Sequence, residues 1–230
     1  MRKITLGLLS IFWLPSLALA STNMVVDDAT IVDPQSCEIE SWFGDNGRDS
    51  LFYFAPVCQF GESGVELTFA YERWRPYQQA SQNYLTTQVK TMLGSFDQQR
   101  GAVAVALGST FALDSNYSKR VPQYYVNVPL SYQLTPSTTV HANAGLLQDT
   151  VTNTTRTTSG VGIEQQFNAS VSGFAELFQQ RGDGVNWQIG THLQQLIPGA
   201  NVTLSVLSTE FDSGRDHAVF VAFSFRPRGW

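Results

Sequence analysis

Apolar and polar residues alternate with a period of two along most of this 230-residue chain. In residues 123–134 the apolar face carries aromatic and aliphatic side chains, and the opposite face carries Asn127, Ser131 and Gln133. The same period returns in residues 65–72, 185–193 and 219–225. A sustained period of two indicates β-strands with one apolar and one polar face. The chain is therefore predicted to be all-β.

The alternation divides the chain into twelve predicted strands, joined by polar or glycine-rich connections. The strands lie near residues 37–43, 51–60, 65–74, 83–93, 101–108, 123–134, 138–147, 157–166, 170–178, 185–194, 201–208 and 217–226. Their spacing leaves room for the ~9–11 residues that a tilted membrane strand needs. We therefore predict a closed antiparallel transmembrane β-barrel over residues 37–230, with about 12 strands and ten as the next number.

Short and long connections alternate along the chain. Residues 61–64, 135–137 and 198–200 read as tight turns, and the polar stretches 75–82, 109–122, 148–156 and 208–216 read as longer loops. Outer-membrane barrels show this pattern, with short turns on the periplasmic side. The alternative is a secreted antiparallel sandwich, whose outward face would be polar. Tyr124 and Tyr132 near the two ends of one apolar face favour an aromatic girdle around a lipid band, and hence the barrel.

The first twenty residues have the three parts of a secretory signal peptide. Arg2 and Lys3 form a basic start, residues 4–17 are mostly apolar, and Ala18-Leu19-Ala20 offers small residues at a cleavage site. The apolar run is short for a membrane anchor, which is the competing interpretation. Residues 1–20 are thus predicted to be cleaved on export, and residues 21–36 to form an N-terminal periplasmic segment.

The charge of the mature chain excludes one class of partner. Without Arg2 and Lys3 it has twelve basic and nineteen acidic residues, a formal charge of −7. Nucleic-acid binding requires basic surfaces, so no nucleic-acid partner is expected. No phosphate loop, dinucleotide turn or paired metal motif occurs, so no cofactor is expected either.

The final strand, residues 218–225, alternates strictly and ends on Phe225. In this it resembles Gram-negative outer-membrane β-barrel proteins, which commonly end in such a strand. The resemblance implies an outer-membrane location, contact with outer-membrane lipids, and recognition of the C-terminal strand by the barrel-assembly machinery. The sequence departs from the pattern by adding residues 226–230. Residues 27–40 also look like the opening of small outer-membrane proteins of the transporter type.

The expected function is that of a porin-like channel or uptake protein for small solutes. Two alternatives remain open: a structural or interaction barrel with a plugged lumen, and an outer-membrane lipid-modifying enzyme. Barrel lipid hydrolases use a strand histidine beside a serine nucleophile. No serine lies two positions from His141, so no catalytic residue is assigned and the chain is expected not to be an enzyme.

Cys37 and Cys58 are the two cysteines of the chain. A hairpin centred between Gly47 and Arg48 pairs positions that sum to 95, which puts the two cysteines opposite each other. The periplasm is oxidising, so a disulfide is expected; two free buried thiols are the alternative. A metal site is not expected, because no histidine cluster accompanies the cysteines.

Polar residues of the inward parity are the candidate functional residues. They are Glu66, Glu72, Gln88, Lys90, Asn127, Gln133, His141, Asn143 and Glu164. In a channel such residues set solute preference, and in a closed barrel they form a hydrogen-bonded plug. A hairpin centred near position 78 would bring Glu66 opposite Lys90 inside the barrel, with Glu72 nearer the extracellular mouth.

Overall fold

The computed structural model describes residues 24–114, 123–179, 184–197, 199–211 and 214–227. Twelve antiparallel strands close into a barrel, because β1 pairs with β12 as well as with β2. The twelve-strand prediction is confirmed and the sandwich alternative is wrong. The strands are β1 (Ser36–Asp45), β2 (Ser50–Gln59), β3 (Val65–Arg75), β4 (Gln82–Phe96), β5 (Gly101–Ala112), β6 (Gln123–Thr135), β7 (Thr138–Asp149), β8 (Thr154–Asn168), β9 (Val171–Gln179), β10 (Asn186–Ile197), β11 (Ala200–Phe211) and β12 (Gly214–Phe225).

The predicted signal peptide, residues 1–20, lies outside the described residues. In the described part of the chain, no helix is long and apolar enough to cross a membrane.

The two faces of the wall have opposite chemistry. Val161, Leu177 and Ile189 point outward and are each more than half exposed. Glu164 and Gln188, which face inward, are 3% exposed. A soluble protein buries its large apolar side chains, whereas this barrel presents them to its surroundings, as a lipid-facing surface requires.

Most strands are longer than the alternation predicted, and several connections are shorter. The predicted loops 148–156 and 208–216 shrink to residues 150–153 and 212–213, because the neighbouring strands continue into them. Polar residues beyond an apolar band still pair through backbone hydrogen bonds, so polarity alone does not mark a loop. The turn at 61–64 is confirmed, with positive φ at Gly61 and Gly64.

The two ends of the barrel differ in their connections. β1 starts and β12 ends at the same end, which also carries the connections 60–64, 97–100, 136–137, 169–170 and 198–199. We call this the terminal end and the opposite one the loop end. The Cys37–Cys58 disulfide is present at the terminal end, between directly paired residues whose Cα atoms are 4.1 Å apart.

Candidate functional site: the barrel lumen

The predicted candidate residues lie on the inward parity of their strands. Glu66, Lys90, His141 and Glu164 are buried, and Glu72, Gln88, Asn127, Gln133 and Asn143 are half-buried. The β3–β4 register pairs Glu66 with Lys90, Thr68 with Gln88 and Glu72 with Tyr84, as the hairpin centre predicted. These residues therefore place polar groups of β3, β4, β6, β7 and β8 on the lumen side of the wall.

A segment of the chain itself fills part of this lumen. Residues 24–32, which we call the lumen segment, enter from the terminal end and make hydrogen bonds to inward-facing side chains of the wall. These residues belong to the stretch 21–36 that was predicted to form an N-terminal periplasmic segment, and in the structure they contact the wall of the barrel. The alternation of the sequence could not identify this segment as a lumen component, because its contacts are made mainly by backbone amides, which every residue carries.

The wall holds the lumen segment by accepting its backbone N–H groups. Val25 N and Val26 N donate to the two carboxylate oxygens of Glu176, at 2.8 and 3.0 Å. Nearer the terminal end, Ala29 N donates to Ser131 Oγ at 2.8 Å and Val32 N donates to Glu66 Oε2 at 2.9 Å. These are long-range contacts to three different strands, so they fix the segment along its length.

```text
```

Lys90 of the wall forms ion pairs with the lumen segment. Lys90 Nζ lies 2.9 Å from Asp27 Oδ1 and 3.9 Å from Asp28 Oδ1. Lys90 faces Glu66 in the register, but its short ion pair is with Asp27. The predicted Glu66–Lys90 neighbourhood thus exists, while the lysine's closest acidic partner comes from the lumen segment.

Asn143 holds the same point of the segment through its amide. With its side-chain oxygen and nitrogen assigned to suit their partners, it accepts from Asp27 N at 2.7 Å and donates to the Asp27 carbonyl at 2.8 Å. The Asn143 amide thus makes the same two hydrogen bonds to the Asp27 backbone that a residue of a neighbouring β-strand would make. Asp27 is therefore bound through both its carboxylate and its backbone.

Small residues of the wall make room for the segment. A Cβ atom on Gly160 would come 2.7 Å from Val26 Cγ2, and one on Gly162 would come 3.1 Å from Met24 Cε. On the opposite side, Val32 packs in one buried apolar cluster with residues that include Ala55 and Ala70. The wall is thus shaped to the lumen segment as well as bonded to it.

Ser131 and His141 are directly paired across β6 and β7, so the serine next to His141 comes from the neighbouring strand. Ser131 Oγ lies 2.8 Å from His141 Nδ1, and both residues are buried. Ser131 Oγ also accepts from Ala29 N, so the lumen segment covers it. His141 Nε2 and Glu164 Oε2 are buried without a hydrogen-bond partner among the described residues. Among those same residues, no group of three or more possible metal ligands is found.

A cavity of about 290 Å³ lies next to Val25 and Val26 of the lumen segment, toward the loop end. Val25 and Val26 form its floor, and its wall includes Thr110, Tyr125 and Asn127. Within the residues that the structure describes, all side chains lining this cavity are uncharged. The lumen therefore contains a filled part and an uncharged cavity whose lining is both polar and apolar.

The profile of one protein family, described as Uncharacterised conserved protein UCP029691, matches residues 8–208. No curated protein matches the chain significantly.

Solved structures similar to this chain include outer-membrane porins. The KdgM porin aligns with a TM-score of 0.61 and 10% identity, over 82% of this chain and 98% of that chain. A second KdgM structure is described as a complex with disordered oligogalacturonate. The NanC porin gives 0.59 and 10%, over 82% and 98%, and an outer membrane channel from Pseudomonas putida F1 gives 0.57 and 8%, over 87% and 98%. At these identities the likeness shows a shared fold.

Proposed function

We propose that this chain, which belongs to the family described as Uncharacterised conserved protein UCP029691, is an outer-membrane channel for small solutes. One observation carries the proposal: the barrel encloses a bore wide enough to hold a segment of polypeptide that is not part of its wall. A twelve-strand barrel lies between side-chain-filled eight-stranded barrels and open porins in size. When the lumen segment leaves, the same bore offers a polar path.

The apolar outward face supports the membrane location, because exposed side chains such as Leu107 and Val219 need lipid around them. The predicted signal peptide would export the chain, and the alternating strand β12 would be read by the barrel-assembly machinery. The shared fold with the KdgM and NanC porins agrees with the channel assignment.

The second candidate is a structural or interaction barrel that stays closed. It is favoured by the multiple hydrogen bonds that hold residues 24–32 inside the lumen. We give Ser131 and His141 no hydrolytic role, because Ala29 covers the serine and both residues face the lumen, away from the lipid. Lipid modification at Ser131 and His141 is therefore not part of the proposed function.

Conductance in planar bilayers tests the channel against the closed barrel. The test compares the purified wild-type protein with a full-length variant in which residues 25–32 are replaced by glycine and serine. We expect wild-type channels to open at least intermittently and the variant to conduct more. Folding of both proteins is checked by their far-ultraviolet circular dichroism. A folded variant that does not conduct would exclude the channel and favour the closed, structural barrel.

A further inference from the structure

The cavity beyond the lumen segment has the features of a binding site. We infer that it binds an uncharged, hydroxyl-rich solute about the size of one sugar ring, an inference that rests on the proposed function. Its volume of about 290 Å³ lies just below the ~300–1,000 Å³ typical of ligand pockets. It also lies on the path that a solute entering from the loop end would take.

Hydroxyl and amide groups from neighbouring strands converge on the cavity. Thr86 Oγ1 and Thr110 Oγ1 are 3.0 Å apart, so one hydroxyl donates to the other and the pair keeps a further hydrogen to donate. Tyr125 donates its phenolic hydrogen to Gln88 Oε1 at 2.7 Å, which leaves the phenolic oxygen as an acceptor. The wall therefore presents both donors and acceptors, as a ligand with several hydroxyl groups requires.

A second pair of polar atoms lies close to Gly145, which has no side chain. A Cβ atom on Gly145 would come 2.6 Å from Thr158 Oγ1 and 3.3 Å from Asn127 Oδ1, so these two polar atoms gather above a residue without a side chain. Asn127 Nδ2 is turned to Asn143 at 3.2 Å, which leaves Asn127 Oδ1 as an acceptor over the cavity. Both atoms belong to residues that line the cavity.

Aromatic surface completes the site. The Tyr125 ring lies over Gly108, where any Cβ atom would overlap it, and Phe178 contributes a second ring to the lining. A sugar ring has hydroxyl groups on its edge and C–H groups on its faces, so it is matched by polar side chains next to aromatic and apolar ones. Val26 adds an apolar contact at the floor.

The absence of charged side chains among the described residues of the lining determines whether the cavity binds neutral or charged sugars. All cavity-lining side chains that the structure describes are uncharged, and the nearby Glu176 carboxylate already accepts two N–H groups of the lumen segment. A charged solute would lose hydration here without gaining a partner of opposite charge. A neutral solute has no such cost, so the cavity discriminates against both acids and amines.

Titration calorimetry of the full-length protein in detergent tests the site with three probes of one ring size: glucose, glucuronate and glucosamine. We expect glucose to bind at least tenfold more tightly than either charged sugar. Thr158→Val keeps the side-chain shape and removes one hydroxyl. It should weaken glucose binding about fivefold, the equivalent of one hydrogen bond of about 1 kcal/mol.

Thr68→Val is the matched control, since Thr68 faces the lumen but does not line the cavity. It should leave glucose affinity unchanged. Equal binding of the three sugars, absence of glucose binding, or equal losses in the two variants would each overturn the inference. The conductance test is independent: a protein that conducts but does not bind glucose refutes this site, and one that binds glucose but never conducts refutes the proposed channel.

Discussion

Replacing Lys90 with methionine should release the lumen segment. Lys90 is 4% exposed and is the wall's ion-pair partner for Asp27 and Asp28. Methionine has a similar length and keeps the packing of the aliphatic stem, but it provides no charge. The two aspartates would then lie inside the lumen without their counter-ion, and the segment would move to where they are hydrated.

The size of the effect follows from the burial of the pair. Breaking a buried ion pair by removing one partner costs about 3–5 kcal/mol. The Asp27 side chain is 34% exposed, so the lower figure of about 3 kcal/mol applies. Each 1.4 kcal/mol corresponds to a factor of ten, so the population with the segment released should rise by on the order of 100-fold.

A buried reporter on the segment measures that population. Ala29 is fully buried and its N–H is bonded to Ser131. An Ala29→Cys substitution therefore places a thiol where a membrane-impermeant maleimide reacts only after release. The labelling rate is compared with and without Lys90→Met, while Cys37 and Cys58 stay protected by their disulfide.

A double-mutant cycle separates the ion pair from a general loosening of the barrel. Asp27→Asn alone should also speed labelling, and the double variant Asp27→Asn/Lys90→Met should be labelled more slowly than the product of the two single effects predicts. An unchanged labelling rate in Lys90→Met, with the fold intact, would show that this ion pair does not hold the segment.

Three further perturbations test other parts of the structure. Gly160→Val should displace Val26, because a Cβ atom at position 160 would lie 2.7 Å from its Cγ2, and should raise single-channel conductance; an unchanged conductance contradicts this. Replacing both Cys37 and Cys58 by alanine should lower the free energy of unfolding by about 3 kcal/mol in a urea titration, since the bridge spans 21 residues. In a conducting protein, Glu72→Gln should reduce cation preference, seen as a smaller reversal potential in a salt gradient; an unchanged potential removes Glu72 from ion selection.

The strands of the barrel wall could be predicted from the sequence because each residue in them faces either the lipid or the lumen. Alternation revealed the strands, and the hairpin centres revealed the pairing of Cys37 with Cys58 and of Glu66 with Lys90. The pairing of Ser131 with His141 was open to the same reasoning. A hairpin centred on Pro136 pairs positions whose numbers sum to 272, and the numbers 131 and 141 have this sum.

The lumen segment was not predictable from periodicity. Residues 24–32 neither alternate nor carry a turn motif, and their partners on the wall lie between 34 and 151 residues away in the chain. One indication was present: the segment is apolar at Val25, Val26 and Val32, which is unexpected for chain exposed to the periplasm. Its acidic residues also complement Lys90, which has an inward position in the predicted β4.

The chemistry of the wall explains why a segment without regular secondary structure is stable in the lumen. Such a segment has unpaired N–H groups, which need acceptors once they leave water. Glu176 and Glu66 provide them, and their carboxylates would otherwise lose hydration inside the bore without compensation. Segment and wall therefore satisfy each other's hydrogen-bonding needs. A solute that replaces the segment must likewise bring donors to these carboxylates, which favours hydroxyl-rich solutes over acidic ones.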